Sequence, residues 1–309
     1  MHAESVWNRF LPFSSIDFTQ SFLREIYEKK GHEEPLSKSY KNGDSFCYYI
    51  EHGKKFYQQT KHAPYELKPI LSFYGATQLL KACLLTVDPD YPQNAAVLAH
   101  GVSSRKRKKS RYEFMQDTVH IQKSGLFSFA GEKLFSMESL EGAKLKMVEL
   151  LNKVPELNAL YEKIYQRPFC YLTKQQENGI YAVSKEILDT LQMTEDRFYH
   201  FLGDFIQPVK EDDFNKLYFH ITDQSLFLSD MENNKYLPAQ KHGYLQIPEL
   251  LVHYLVLYNL SMIARYETEW WSILHFERTS TDLPFILAFL DITERKFPMM
   301  IADWLFDTN

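Results

Sequence analysis

Hydrophobic positions in the first hundred residues recur at helical spacing. In IDFTQSFLREIYEKK, from Ile16, the residues Phe18, Phe22 and Ile26 fall one turn apart, and Ser14-Ser15 stands where an N-cap belongs. Gly31 and the polar stretch HEEPLSKS interrupt this pattern. A second amphipathic helix then carries Phe46, Tyr49, Ile50, Gly53 and Tyr57 on one face and ends near Ala63-Pro64. Pro69 suits the first turn of a third helix, whose apolar stripe is Ile70, Phe73, Thr77, Leu80 and Leu84. The run Asp88-Pro89-Asp90-Tyr91-Pro92 stops it.

The period changes after residue 100. In DTVHIQKSGLFSFAGE, Val119 and Ile121 alternate before a Lys-Ser-Gly turn, and apolar residues resume from Leu126 to Phe129, which predicts a β-hairpin. Between Phe169 and Lys185, Asn178-Gly179 separates two strand-like runs, the strongest short hairpin signal in the chain. KLYFHITD from Lys216 and SLFLSD from Ser225 read as further strands, with another near Tyr236 or Tyr244, and short helices are expected at about 137–151 and 183–202. Helical spacing returns from Pro248. Leu251, Tyr254 or Leu255, Tyr258, Met262 and Arg265 lie on one stripe of a helix running toward Trp271. A last helix begins near Asp282-Leu-Pro284, with Pro298 expected to kink or restart it. The fold class predicted is α+β, mainly helical: a bundle built from residues 1–100 and 248–309, with a hairpin-rich α/β insertion over 101–247.

Composition sharpens this picture chiefly by exclusion. With 45% hydrophobic and 24% charged residues in 309, the chain has the apolar content to bury one large core or two modest ones. Eleven glycines are roughly half the usual share of ~7%, and none are spaced as G-x-G-x-x-G or G-x-x-x-x-G-K-[ST]; Gly125 and Gly131 come nearest. Rossmann and P-loop chemistry is thereby disfavoured. Cys47, Cys83 and Cys170 stand far apart, against a zinc site or disulfide framework and in keeping with a reducing compartment. The start MHAESVWNRFLPF does not resemble a signal peptide. The longest uncharged run, Leu250 to Ala264, falls short of the roughly 18–20 apolar residues of a membrane span. A cytoplasmic protein with no membrane partner is expected.

The stretch SFYGATQLLKACLLTVDPDYPQNAAVLAHGVSSRKRKK, followed far downstream by VLYNLSMIARYETEWW, resembles the YaaC-like family of Firmicute proteins, and the likeness extends along most of the chain. Phe73-Tyr74, then Leu-Leu-Lys81-Ala, then His100-Gly101 is similar, more distantly, to the second helix of HEPN domains. That likeness implies an HEPN-like bundle for the helical parts, often a homodimer, with RNA among its expected ligands because some HEPN domains are ribonucleases. Those enzymes place an Arg and a His four to six residues apart on one helix face. Here Arg24 to His32, Arg111 to His120, Arg197 to His200 and Arg265 to His275 all have other intervals, so the resemblance implies a binding module rather than a catalyst.

Candidate chemistry is correspondingly sparse. No H-E-x-x-H or G-x-S-x-G motif occurs, and neighbouring acids such as Glu33-Glu34 or Asp212-Asp213 point apart on a regular element, so no catalytic residue, metal or cofactor is assigned. Two cations stand out because they lie in apolar helical surroundings. Arg265 ends an apolar stripe, where a guanidinium should pair with an acid such as Glu267 or Glu269 or face an anion. Lys81 follows Tyr74 and Thr77, either reaching along the bundle edge to water or pointing at the same anion. On the packing implied by the HEPN likeness, Lys81, His100 and Arg265 form a cationic pocket lined by Tyr74, Tyr258 and Tyr266, suited to a phosphate or carboxylate. The net charge is −5, yet Arg105 to Arg111 carries six positive charges in seven residues, so Arg105, Arg107 and Lys108 are candidates for an anion-binding loop against the plainer reading of a solvated one. The function expected is non-catalytic recognition of a partner protein or a phosphorylated ligand, nucleotide or RNA; the alternative is an HEPN-type ribonuclease with a diverged active site, in stress or phage defence.

Overall fold

In the computed structural model, which describes residues 3–104, 112–211, 213–278 and 280–308, Ser15 caps a helix as its position predicts: its side-chain oxygen accepts the Phe18 N–H at 3.3 Å. A short helix α1, Ala3–Arg9, precedes this one, α2, Ile16–Lys29. The buried face of α2 is Thr19, Leu23, Ile26 and Tyr27, one position round from the expected stripe. Phe18 is therefore exposed, and Phe22 reaches the core only at its edge, packing its ring 5.0 Å from Phe13. Helix α3, Pro35–His62, starts eleven residues before Phe46, because the break is confined to Gly31–Glu34 and Pro35 opens the next helix. Its polar first turns still pack, through the small residues Ser39, Asn42 and Gly43. Helix α4, Lys68–Val87, begins at Pro69 and stops at Asp88 as expected. It is long and apolar enough to cross a membrane, but two thirds of it is buried, against α3 and a C-terminal helix described below.

The next segment departs from the predicted hairpin. Strands β1 (Val102–Ser104) and β2 (Thr118–Ile121) pair antiparallel, Val102 opposite Ile121. Leu126–Phe129 is not a strand but the start of α5, Leu126–Phe135. Four residues are too few to carry a period of their own, and here Leu126, Phe127, Ala130 and Leu134 complete a helical face. The second partner of β2 is instead β3, Lys144–Lys146, in a region where a helix was expected; only α6, Met147–Leu151, is helical there.

The chain divides into two compact units, one formed by Met1–Met147 with Leu250–Asn309 and the other by Val148–Glu249. The boundary falls at 147 rather than 100, because β1, β2, β3 and α5 pack with the terminal helices. The Val148–Glu249 unit continues from α6 through α7 (Asn158–Tyr165), β4 (Cys170–Gln175), β5 (Ile180–Ser184), α8 (Glu186–Leu191), α9 (Glu195–Leu202), β6 (Ile206–Val209), β7 (Lys216–Ile221), β8 (Leu228–Ser229) and β9 (Lys235–Pro238). Its antiparallel sheet has the order β6-β7-β5-β4-β9-β8. The Asn178-Gly179 turn forms where predicted, both residues left-handed at φ 58° and 71°, with Lys174 opposite Ala182. SLFLSD contributes only the two residues of β8, and Tyr244 sits in a 3-10 turn rather than a strand. Ile187, Leu191, Phe198 and Leu202 from the helices pack with Leu217, Phe219 and Leu237 from the strands as one core.

Helices α10 (Glu249–Tyr266), α11 (Thr268–Glu277) and α12 (Asp282–Asp303) complete the fold. The expected continuation toward Trp271 breaks at Glu267, whose backbone leaves the helical region. Pro298 sits inside α12 without ending it. Helices α4 and α10 meet through aromatic rings, Phe73 lying 5.3 Å from Tyr254 and 5.6 Å from Tyr258. Helices α3 and α12 cover more of α4 than α10 does, and both are at least as long as it.

Candidate functional site

His100 is held by its backbone. Its carbonyl accepts the Tyr254 hydroxyl at 3.0 Å and the Phe127 N–H at 3.2 Å, at the first turn of α5. The next residue, Gly101, has φ +77° and lies directly against Gly125, which has φ +127°. A Cβ on Gly125 would stand 2.3 Å from the Gly101 Cα and nitrogen, so only glycine permits the two segments to cross. That crossing sets the imidazole edge-on to Phe73, with centroids 5.1 Å apart, and 5.6 Å from the Tyr258 ring.

Two cations act on this half-buried imidazole through their charge. Burial lowers the proton affinity of His100 first, and the charges of Arg265 and then Lys81 lower it further. Arg265, in the last turn of α10, does not pair with Glu267 or Glu269. Its Nε donates to the Ser261 carbonyl at 3.0 Å, its Nη2 approaches the Met262 sulfur at 3.1 Å, and Nη1 donates at 3.5 Å to the Tyr74 hydroxyl. The guanidinium carbon lies 5.2 Å from the centroid of the exposed Tyr266 ring. Lys81, on α4, places its ammonium 5.6 Å from the Tyr49 ring, and burial lowers its proton affinity too. Among the described residues, neither cation has a carboxylate within ion-pair distance.

The structure thus places Tyr74, Lys81, His100, Tyr258, Arg265 and Tyr266 in one unit: Tyr258 lies against the His100 ring, Tyr74 and Tyr266 lie against Arg265, and the charges of Arg265 and Lys81 act on the imidazole. The charged run that includes Arg105, Arg107 and Lys108 lies outside the described residues; its flanks are Ser104, at the end of β1, and Tyr112, edge-on to Trp270 at 4.4 Å. Three residues escape sequence reasoning. Tyr254 orients His100, Tyr49 faces Lys81, and Tyr91 is buried with a hydroxyl that has no hydrogen-bond partner among the described residues. Burial pushes both phenols upward, and for Tyr91 the neighbouring Tyr49 adds to it. An unpaired buried hydroxyl costs about 1–3 kcal/mol, which a ligand acceptor would offset. Tyr49 reads in the sequence as part of a core stripe and Tyr91 as part of a helix stop, so neither carries a chemical signal there. Among the described residues, no three His, Cys, Asp or Glu side chains are arranged to hold a metal ion.

The fold is that of a mainly helical α+β protein, and among the described residues Lys81 and Arg265 lie beside phenol rings with no carboxylate within ion-pair distance. A family profile described as YaaC-like Protein matches residues 11–305, and the chain belongs to that family. No curated protein and no solved structure matches it, so the likeness to HEPN domains rests on the sequence motif alone.

Proposed function

We propose that this is a cytoplasmic, non-catalytic binding protein that holds a phosphorylated ligand, a nucleotide or RNA, at the Lys81–His100–Arg265 cluster. The observation that carries this reading is that Lys81 and Arg265, from separate helices, both act on the His100 imidazole while, among the described residues, neither has a carboxylate within ion-pair distance. Charge of one sign, partly withdrawn from water, is stabilised by an oxyanion that accepts several hydrogen bonds at once. The exposed ring of Tyr266, beside Arg265, offers a face on which a base can stack. The Arg105–Arg111 run, flanked by residues of the same unit, extends the positive charge available to a polyanion.

Fluorescence anisotropy of a labelled single-stranded RNA with the full chain tests this, with AMP as competitor. Binding should weaken steeply with salt, and Arg265→Gln or Lys81→Gln should each weaken it about tenfold. Changing Arg105, Arg107 and Lys108 together to Glu should abolish it. Binding that none of these variants alters, or no binding at low ionic strength, refutes the reading.

A second reading, ribonuclease activity, draws on the depressed proton affinity of His100, since a neutral imidazole beside two cations has the form of a general base at a phosphodiester. The purified protein is expected not to cleave single-stranded or structured RNA. Cleavage abolished by His100→Ala would establish the catalytic alternative. A partner protein or a second copy of the chain is the remaining occupant, for which the exposed Ile273 and Phe276 of α11 provide apolar surface.

A further inference from the structure

Within the Val148–Glu249 unit, a cleft of about 430 Å³ opens between two helix ends and the segment after β9. Helix α7 stops where Gln166 turns left-handed, its N–H bonding the Glu162 carbonyl at 2.9 Å, and the chain then presents Arg167-Pro168. Helix α8 stops in the same way at Gln192, whose N–H bonds the Asp189 carbonyl at 3.2 Å. The third wall is fixed where the Ala239 N–H donates to the Phe169 carbonyl at 2.8 Å, leaving Gln240 and Lys241 to line the opening.

The charge in this cleft is one-sided. Arg167 and Lys241 line it, no carboxylate does, and neither cation has an ion-pair partner among the described residues. The neighbouring acids Glu186, Asp189 and Glu162 act on the Tyr171 hydroxyl, which is hydrogen-bonded to Thr190. Arg167 is oriented by an aromatic stack: its guanidinium carbon lies 5.8 Å from the Tyr161 centroid, and Tyr161 is stacked on Phe169 at 3.5 Å. The carboxamides of Gln192 and Gln240 add both donors and acceptors, and Leu191 supplies an apolar wall.

A concave site of this volume matches small molecules rather than a protein face. A planar guanidinium and an ammonium that line one cleft recognise two oxyanion groups on one body, or one group shared between them. We propose that this cleft binds a small organic dianion, gripped between Arg167 and Lys241, with its remaining polar atoms met by Gln192 and Gln240. Carboxylate and phosphate share that chemistry, and separate titrations tell them apart.

The test is isothermal titration of the full chain with succinate and, separately, with glycerol 3-phosphate. At least one should bind at millimolar concentration or tighter, and whichever binds identifies the acid. Arg167→Gln and Lys241→Gln should each weaken that binding about tenfold, whereas Arg265→Gln, in the other unit, should leave it unchanged. Both cleft side chains are exposed, and a thermal melt confirms that each variant folds; if one does not, the other alone decides. The proposal fails if neither anion binds, or if binding survives the folded cleft variants. It also fails if Arg265→Gln removes the binding, which would assign the anion to the His100 cluster.

Discussion

In the unit formed by Met1–Met147 and Leu250–Asn309, Lys81 and Arg265 are half-buried among rings and face one imidazole, whereas in the Val148–Glu249 unit Lys153 is buried and spends its proton on a backbone carbonyl, Gly243, at 2.8 Å. The difference separates a structural cation from one with capacity to spare. Lys153 has met its needs inside the protein and pays in proton affinity, which burial lowers to about 8. Arg265 has five N–H donors, yet its one strong acceptor among the described residues is the Ser261 carbonyl; a hydroxyl at 3.5 Å and a thioether are poor substitutes. Unused donors in a partly dry site are where an external anion gains most.

The glycines repeat the contrast, and one substitution in each unit should break it most sharply. Gly125→Ala drives a Cβ into the Gly101 backbone at a positive φ, so it should cost on the order of 3–4 kcal/mol or prevent folding, read by urea denaturation. Gly179 in the Asn-Gly turn also has positive φ, but a Cβ there meets nothing within 4 Å. Gly179→Ala should cost only about 1 kcal/mol, the backbone penalty alone. Equal losses would show that the Gly101–Gly125 crossing does not govern the position of His100.

Lys153 provides the next largest effect, with a defined direction in pH. Its folded value of about 8 lies below its ordinary 10.5, so between those limits the unfolded chain holds a proton that the fold lacks. Stability should rise with pH from about 8 to 10.5, by on the order of 3 kcal/mol, and the full penalty applies below 8. Lys153→Met should flatten that rise relative to the parent in chemical denaturation across the range. An unchanged slope would mean that the amine is not desolvated.

His100 gives a smaller effect. Because its folded proton affinity is depressed, the unbound protein should lose stability as pH falls below about 6.5, where the unfolded imidazole takes up its proton first. A bound phosphodiester opposes the repulsion from Arg265 and Lys81, so RNA affinity should increase a few-fold between pH 8 and 6. His100→Gln should remove both dependences. Phosphodiesters do not titrate in this interval, so RNA is the suitable probe.

Local signals were legible wherever one or two residues decide the backbone: Ser15 at an N-cap, Pro69 in a first turn, Asn178-Gly179 in a hairpin. They failed where apolarity was uniform. Leu126–Phe129 fits strand or helix equally, and its conformation follows from what α5 packs against. Leu250 to Ala264 is uncharged and mostly apolar, so its pattern could not show that the helix would end at Tyr266 rather than run on to Trp271. Proline misleads in the opposite sense at 298, where the tertiary packing of α12 tolerates the missing N–H.

By itself the sequence determined the mainly helical α+β class, the lack of a glycine-rich phosphate loop, and the presence of Lys81 and Arg265 in surroundings too apolar for ordinary surface charges. All of these follow from short-range preferences or from composition. Tertiary structure alone decided that Arg265 would pass over Glu267 and Glu269, that the Tyr49 ring would lie beside the Lys81 ammonium, and that Gly101 and Gly125 would touch. Those contacts join segments separated along the chain, and their geometry is set by how whole helices interlock, since no residue's own conformational preference encodes which distant side chain it will meet.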